Sequence, residues 1–219
     1  NKDVVIDEVK CLNGLADAIN VTDGAGAKSH MSALATAAIL AQNGIEPILQ
    51  FTTRDRNRIA IQGDLLGGWA LDIPNILCLY GDEVKGGDQP DTKEVRDLDT
   101  IGILRTAHEI KTKKMYPSGR KINDPPEFFI GGADTPFKIN NDFDGLNLVK
   151  KINAGVEFFQ TQYVFEKDIL KNYMLKLNEL NITNKAYFII GLGVIKSAKS
   201  ARWMNKNLFG INIPEEIIN

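Results

Sequence analysis

Cysteine is nearly absent from this 219-residue chain: Cys11 and Cys78 stand far apart with no CxxC pairing. That excludes a disulfide framework, a zinc ribbon and a cysteine-held cluster. Histidine is as scarce, with only His30 and His108 and no second ligand four residues on, so a metal site or a Ser-His-Asp triad has little to build from. No phosphate loop of the GxxxxGK[ST] type occurs, and the dinucleotide fingerprint fails because Gly191-Leu-Gly193 is followed by Lys196 where the third glycine belongs. No apolar run reaches the ~18–20 residues of a membrane span. The first ten residues are charged and lack the pattern of a signal peptide. Net charge is also small: 26 Lys+Arg against 28 Asp+Glu leave −2. Little counterion release is available to drive binding to nucleic acid or to an anionic membrane. The expectation is a reduced, cytoplasmic protein with no nucleic-acid partner and no membrane span.

What is present is a core-forming composition, 43% hydrophobic and 25% charged, arranged with a regular period. Six short apolar runs have the length and β-branched or aromatic content of buried strands: Asp17–Val21, Glu46–Phe51, Asn75–Leu79, Glu127–Ile130, Glu157–Thr161 and Ala186–Ile190. Their starts lie 29, 29, 52, 30 and 29 residues apart. Helical patterns fall between them, at Met31–Asn43, Asn57–Leu71, Leu98–Thr112, Phe143–Asn153, Lys167–Leu180 and Ser197–Asn205. Such alternation means parallel strands joined by right-handed crossovers. An open doubly wound sheet and a (β/α)8 TIM barrel both fit. The barrel is favoured because polar or glycine-rich segments follow strand after strand, and barrel enzymes assemble sites from the C-terminal ends of many strands.

Candidate site residues follow from that placement. Asp82 closes the strand Leu77-Cys-Leu-Tyr-Gly-Asp82, where a carboxylate would face a ligand or serve as a turn residue. Gln160 and Gln162 share one strand face, and buried amides need a partner. Asp144, Asn147 and Lys151 recur at i, i+3 and i+7, either as a solvated helix face or as a hold on a ribose and phosphates. His30 follows the glycine-rich turn after the first strand and is a better functional candidate than His108. The insertion Glu83–Asp97 reads as a mobile active-site loop or a solvated one.

The run Arg54-Asp-Arg-Asn-Arg-Ile-Ala-Ile-Gln-Gly-Asp-Leu-Leu-Gly67, followed by Asn75-Ile-Leu-Cys-Leu-Tyr-Gly-Asp82, resembles the methylenetetrahydrofolate reductase family. Ala18-Ile-Asn-Val-Thr-Asp23, Gly44-Ile-Glu-Pro-Ile-Leu-Gln50, Phe128-Phe-Ile-Gly-Gly132 and Gly155-Val-Glu-Phe-Phe-Gln-Thr-Gln162 extend the likeness in order from about Asp17 to Pro214. The resemblance implies a single flavin-binding barrel over 1–219, with its first and last strands missing from the chain. It implies FAD, with FMN the alternative, NADH or NADPH as reductant, and a folate substrate. Thr22, Gln50 and Asp82 match positions near the flavin, Asp82 also lying beside the pterin as the catalytic candidate. Asp144, Asn147 and Lys151 match residues holding the adenosine and phosphates, and Gln162 matches a substrate contact. Gln50 replaces a histidine of many members, Tyr80 an arginine, and Gly131 and Thr135 a Tyr and a His. Val194-Ile195 stand where some members place a stacking aromatic. The general acid of the family is expected upstream of Asn1. The implied activity is flavin-dependent reduction of 5,10-methylenetetrahydrofolate to 5-methyltetrahydrofolate. A flavin-free pterin methyltransferase is an alternative, as is an electron-relay subunit working with a partner, and a homo-oligomer is compatible with each.

Overall fold

A computed structural model describes residues 1–218. Contacts divide the chain into two compact units, 1–131 and 132–219, and the division falls inside one strand. In the first unit, α1 (Lys2–Lys10) opens on Asn1, whose side chain accepts from Val4 N–H, with Asp3 in its first turn and Lys10 in its last to complement the helix dipole. The strands β1 (Ile19–Val21), β2 (Pro47–Thr52) and β3 (Asn75–Leu79) follow, separated by α2 (Ala33–Ala41) and α3 (Arg58–Ala70). After β3 come α4 (Thr100–Lys113) and the first residues of β4 (Phe129–Asp134). The second unit holds the rest of β4, then α5 (Leu146–Asn153), β5 (Phe158–Tyr163), α6 (Lys167–Glu179), β6 (Tyr187–Gly191), α7 (Ala198–Asn207) and α8 (Glu215–Ile218).

The six strands are parallel and neighbour one another in chain order, β1-β2-β3-β4-β5-β6. A doubly wound sheet must reverse its order at a switch point. No reversal occurs here, so the topology is that of a partial (β/α)8 barrel. The expectation of barrel over open sheet holds.

Local chemistry sets the elements. Asn57 caps α3 by accepting from the Ile59 and Ala60 N–H groups, and Asp99 caps α4 by accepting from Gly102 N–H. Ile61, Leu65 and Gly68 form the buried stripe of α3. Gly68 faces β2: a Cβ there would make ordinary contact, 3.7 Å from Leu49 Cδ2 and from Leu34 Cδ1. Leu49 therefore faces the helices, and alternation turns Ile48, Gln50 and Thr52 to the opposite face. The register Ile19↔Pro47, Asn20↔Ile48, Val21↔Leu49, carried one residue further, brings Thr22 beside Gln50 on that same face. Cys78, on β3, is fully buried, and desolvation pushes its thiol up to about 12, which keeps it protonated and unreactive.

Three features differ from the sequence expectation by more than a residue or two at an element end, each for a physical reason. β4 runs on to Asp134 instead of stopping at Ile130, since Gly131-Gly132 continue the strand. Gly132 is there for close packing, because a Cβ would meet Val156 Cγ2 at 3.1 Å. α5 starts at Leu146 and not Phe143, because Gly145 takes the left-handed conformation (φ 66°) and a side chain there would strike Ile182. Asp144 thus precedes the helix, and the three-residue helical face reduces to Asn147 and Lys151. α8 was not foreseen; it follows Pro214 and buries Ile218 with Ala201, Ile211 and Ile213.

Glycine positions give a direct test. Gly63 is an exposed α3 residue with nothing within 4 Å of an added Cβ, whereas Gly24 has φ +59° and a Cβ there would meet Arg54 Nη2 at 2.4 Å. Gly63→Ala is expected to stabilise the fold by about 0.8–1 kcal/mol through helix propensity, and Gly24→Ala to destabilise it. Urea midpoints at constant m-value check both signs.

Candidate functional site

The C-terminal ends of β1, β2 and β3 are laced together by three arginines. Arg54, only 4% exposed, follows β2. Its guanidinium donates to the Gly24 carbonyl at 3.2 Å, to the Asp82 carbonyl at 3.4 Å and bidentately to Asp55 at 2.7–2.8 Å. One buried cation thus ties the β1 loop to the β3 loop. Its charge is stabilised chiefly by the bond to Asp55, which in turn holds the Asp55 carboxyl below the usual range. Arg56 reaches Asp23 at 2.7 Å and Asp64 at 2.9 Å. Burial opposes the Arg56 charge, and these two carboxylates more than offset it. Asp23 also accepts from the N–H and the hydroxyl of Thr52, both at 2.9 Å. Arg96, at the end of the Glu83–Asp97 insertion, donates to the carbonyls of Tyr80 (2.7 Å), Gly81 (3.3 Å) and Asp82 (3.4 Å). It lies over the Tyr80 ring at 3.8 Å. Glu94 pairs with Arg96 and accepts from Val84 N–H, and its carboxyl is held down to about 2. The insertion is therefore pinned at its base, where Val95 N–H also donates to the Arg54 carbonyl at 2.8 Å.

Asp82 occupies the centre of this lacework. Its carbonyl is shared by Arg54 and Arg96, and its exposed carboxylate accepts from Gly26 N–H at 2.7 Å. Gly81, at φ +87°, makes the turn possible, lying against Thr52 and Arg54 where a side chain has no room. Of the sequence candidates in this unit, Thr22 is exposed, Gln50 is half-buried on the same face as Thr22, and Asp82 is bonded to the loop that Thr22 begins. His30 is exposed, and His108 is half-buried within α4. A shallow cleft lined by Val9, Leu12, Ala16, Asp17 and Glu46 lies at the N-terminal ends of β1 and β2, away from this chemistry.

The second unit builds a separate group around the end of β4. Tyr173, 1% exposed, donates its hydroxyl to both carboxylate oxygens of Asp134, at 3.0 and 3.1 Å. Lys151 crosses Gly132 and donates to the Ala133 carbonyl at 2.6 Å. Burial raises the Asp134 carboxyl and lowers the Lys151 ammonium, each partly opposed by the other's charge. Phe137 and Phe143 pack on Tyr173 with ring centroids 5.8 and 5.5 Å from it, closing the aromatic side. Asp144 accepts from Leu146 N–H at 2.9 Å, and Asn147 is exposed. Gln162 has both ends of its amide engaged, accepting from Tyr163 N–H and donating to the Phe209 carbonyl, each at 3.0 Å. Gln160 is half-buried on the same strand. Among the described residues no cluster of three or more His, Cys, Asp or Glu side chains is placed to hold a metal ion, and no helix is long and apolar enough to cross a membrane.

Residues 3–219 match the family model described as methylenetetrahydrofolate reductase. The chain belongs to the methylenetetrahydrofolate reductase family. A relative from Caenorhabditis elegans, named a probable methylenetetrahydrofolate reductase (NADPH), is 26% identical over 196 residues. That match takes in 88% of this chain and 27% of the relative, so the chain spans about a quarter of that protein's length. Among solved structures, a Clostridium thermocellum protein titled as binding two copies of 5-methyl-5,6,7,8-tetrahydrofolic acid is similar over 98% of this chain and 67% of its own, with a TM-score of 0.61 and 17% identity. At that identity the likeness shows a shared fold alone.

Sequence reasoning missed the arginines of the first unit and Asp134 of the second. Arg54 and Arg56 lay inside the motif that carried the resemblance, and the density of arginine just after a strand was the available signal. Asp134 was hidden because Gly131-Gly132 were read as ending their strand.

The Asp134 environment predicts a pH dependence. Because its native pKa is raised, the folded state binds this proton more tightly than the unfolded chain. Stability from this group is full below the ordinary aspartate value of about 3.9 and is lost as pH rises through the native value. Asp134→Asn keeps an acceptor for Tyr173 but removes the titration. Urea midpoints measured from about pH 4 upward should fall less steeply in Asp134→Asn than in the unmutated protein, and equal slopes would refute the assignment.

Proposed function

We propose that this chain is the flavin- and folate-handling portion of a methylenetetrahydrofolate reductase, converting 5,10-methylenetetrahydrofolate to 5-methyltetrahydrofolate. The family match over residues 3–219 carries the reading. The rigidly held Asp82 at the C-terminal end of β3, where barrel proteins bind their ligands, supports it.

The residues fit a flavin in kind. Lys151 is a desolvated cation with one hydrogen bond to a carbonyl, leaving N–H donors for a phosphate oxygen. Asp144 and Asn147 would supply acceptor and amide for the adenosine end, and Thr22 and Gln50 offer uncharged donors and acceptors on one strand face. A bound flavin, FAD in our reading, would supply hydride transfer drawn from NADH or NADPH. The chain's own contribution is position and field. The ionised Asp82 would accept a hydrogen bond from the pterin and favour positive charge developing on the activated folate. Arg54 and Arg96 fix the backbone that aims it, so little reorganisation is needed when charge develops. Gln162 would orient the folate. A cytoplasmic setting and any oligomer belong to the same proposal.

Flavin release on denaturation of the purified full chain separates a flavoprotein from a flavin-free methyltransferase, and NAD(P)H oxidation separates a reductase from a relay subunit. Lys151→Ala should weaken flavin retention by roughly 1.5–3 kcal/mol, the worth of a charge-assisted hydrogen bond. Asp82→Asn keeps the acceptor for Gly26 and should fold normally. It should also weaken folate binding by roughly tenfold or more and slow the folate half-reaction. Stopped-flow traces showing normal folate reduction in Asp82→Asn would overturn the central assignment.

A further inference from the structure

Basic residues crowd the stretch where α4 ends and the chain turns toward β4. Lys111, Lys113, Lys114, Arg120 and Lys121 fall there, with no acidic residue from 110 to 123. Two of the five have structural roles. Lys113 pairs with Glu109 at 2.7 Å, and Lys111 donates to the Phe128 carbonyl at 2.8 Å, tying the helix end to the residue before β4. Both also lie in the last turn of α4, where cations complement the helix dipole. Lys114, Arg120 and Lys121 are exposed, and among the described residues none of their side chains has a hydrogen bond or an ion pair.

These three cations stand on an ordered hairpin. Met115 and Lys121 pair antiparallel, Tyr116 N–H donates to the Arg120 carbonyl at 2.8 Å, and Ile122 N–H donates to the Lys114 carbonyl at 2.9 Å. At the tip, Gly119 N–H donates to the Tyr116 carbonyl at 2.8 Å, with Gly119 in the left-handed conformation at φ +86°. The Arg120 guanidinium lies over the Tyr116 ring, 4.2 Å from its centre. Stacking covers one face of the guanidinium and leaves the donors around its edge in water, a fork matched to carboxylates. A hairpin already in place has little ordering left to do on binding. Because α4 carries the chain back from the end of β3, it sits at the strand ends opposite Asp82.

Charge elsewhere narrows the occupant. The whole chain carries −2, so setting these three cations aside leaves −5 on everything else. A nucleic-acid duplex or an anionic membrane extends over many Debye lengths, each ~8 Å at physiological salt, and would bring that negative remainder into range. A short carboxylate-rich segment meets the hairpin alone. We propose that hairpin 114–122 docks an acidic segment of a partner protein, with Arg120 as its anchor. The proposal is independent of the folate reading.

Fluorescence anisotropy of labelled octaglutamate mixed with the full chain tests it. The peptide should bind at low salt and weaken as salt rises. Reversing Lys114, Arg120 and Lys121 together (K114E, R120E, K121E) should weaken binding by about tenfold or more. A control with the same net charge reverses three exposed lysines on α6 and α7 (K167E, K171E, K199E) and should bind nearly as the parent does. Arg120→Gln, which carries the test alone if the triple variant does not fold, should cost more than Lys114→Gln or Lys121→Gln. Equal losses from the three single changes would overturn the anchor role. No octaglutamate binding by the parent, or equal weakening in the control, would overturn the proposal. So would tighter hairpin-dependent binding of a DNA duplex or of phosphatidylserine vesicles.

Discussion

Parallel pairing in chain order is the constraint on which the rest depends. A strand can pair in parallel with its predecessor only if the chain first travels back to the starting end, so every connection is a crossover of a dozen residues or more. Five such crossovers join the six strands and deliver every C-terminal end to the same end of the sheet. The helices are consequences of the return journey. So is the separation of roles: apolar faces such as Leu49 and Ile61 lock helix to strand, while Thr22, Gln50, Asp82 and Gln162 fall just where the strands stop.

Loops gathered in this way still have to be held, and carbonyl oxygens are what the chain offers at strand ends. Arginine suits the task because its planar fork donates in several directions at once. Arg54 bridges Gly24 and Asp82, and Arg96 takes three successive carbonyls from Tyr80 to Asp82. The guanidinium of Arg54 is nearly excluded from solvent, and its charge is tolerated there because Asp55 answers it directly. These cations organise backbone, and the carboxylate they steer is left facing outward.

The sequence and the structure agree best where information is local. The existence and order of the six strands and of the helices between them were legible from apolar periodicity, as with Asn75–Leu79, recovered to the residue. The repeating strand spacing fitted an open sheet as well, and the barrel was legible because polar or glycine-rich segments follow strand after strand. What could not be read was anything set by partners far along the chain. Nothing near Arg54 announces a bond to residues 24 or 82, and nothing near Phe209 announces Gln162. Gly132 misled for a related reason, since a glycine that admits Val156 looks in sequence like one that ends a strand. The periodicity puts Asp144 on a helix, but the left-handed backbone at Gly145 keeps that helix from starting so early.

The bond from Gly26 N–H to Asp82 has a further consequence. A carboxylate oxygen that already satisfies a backbone amide is not idle, and a ligand recruiting it enters a competition. If the newcomer also donates to Oδ2, it shares that oxygen with Gly26 and weakens the bond that holds the left-handed turn through Gly24 and Gly26; if it takes Oδ1, the turn is left alone. The choice of oxygen would therefore be reported at a distance, as faster or unchanged deuterium uptake at the Gly26 amide, making this short glycine turn a local indicator of how the aspartate is engaged.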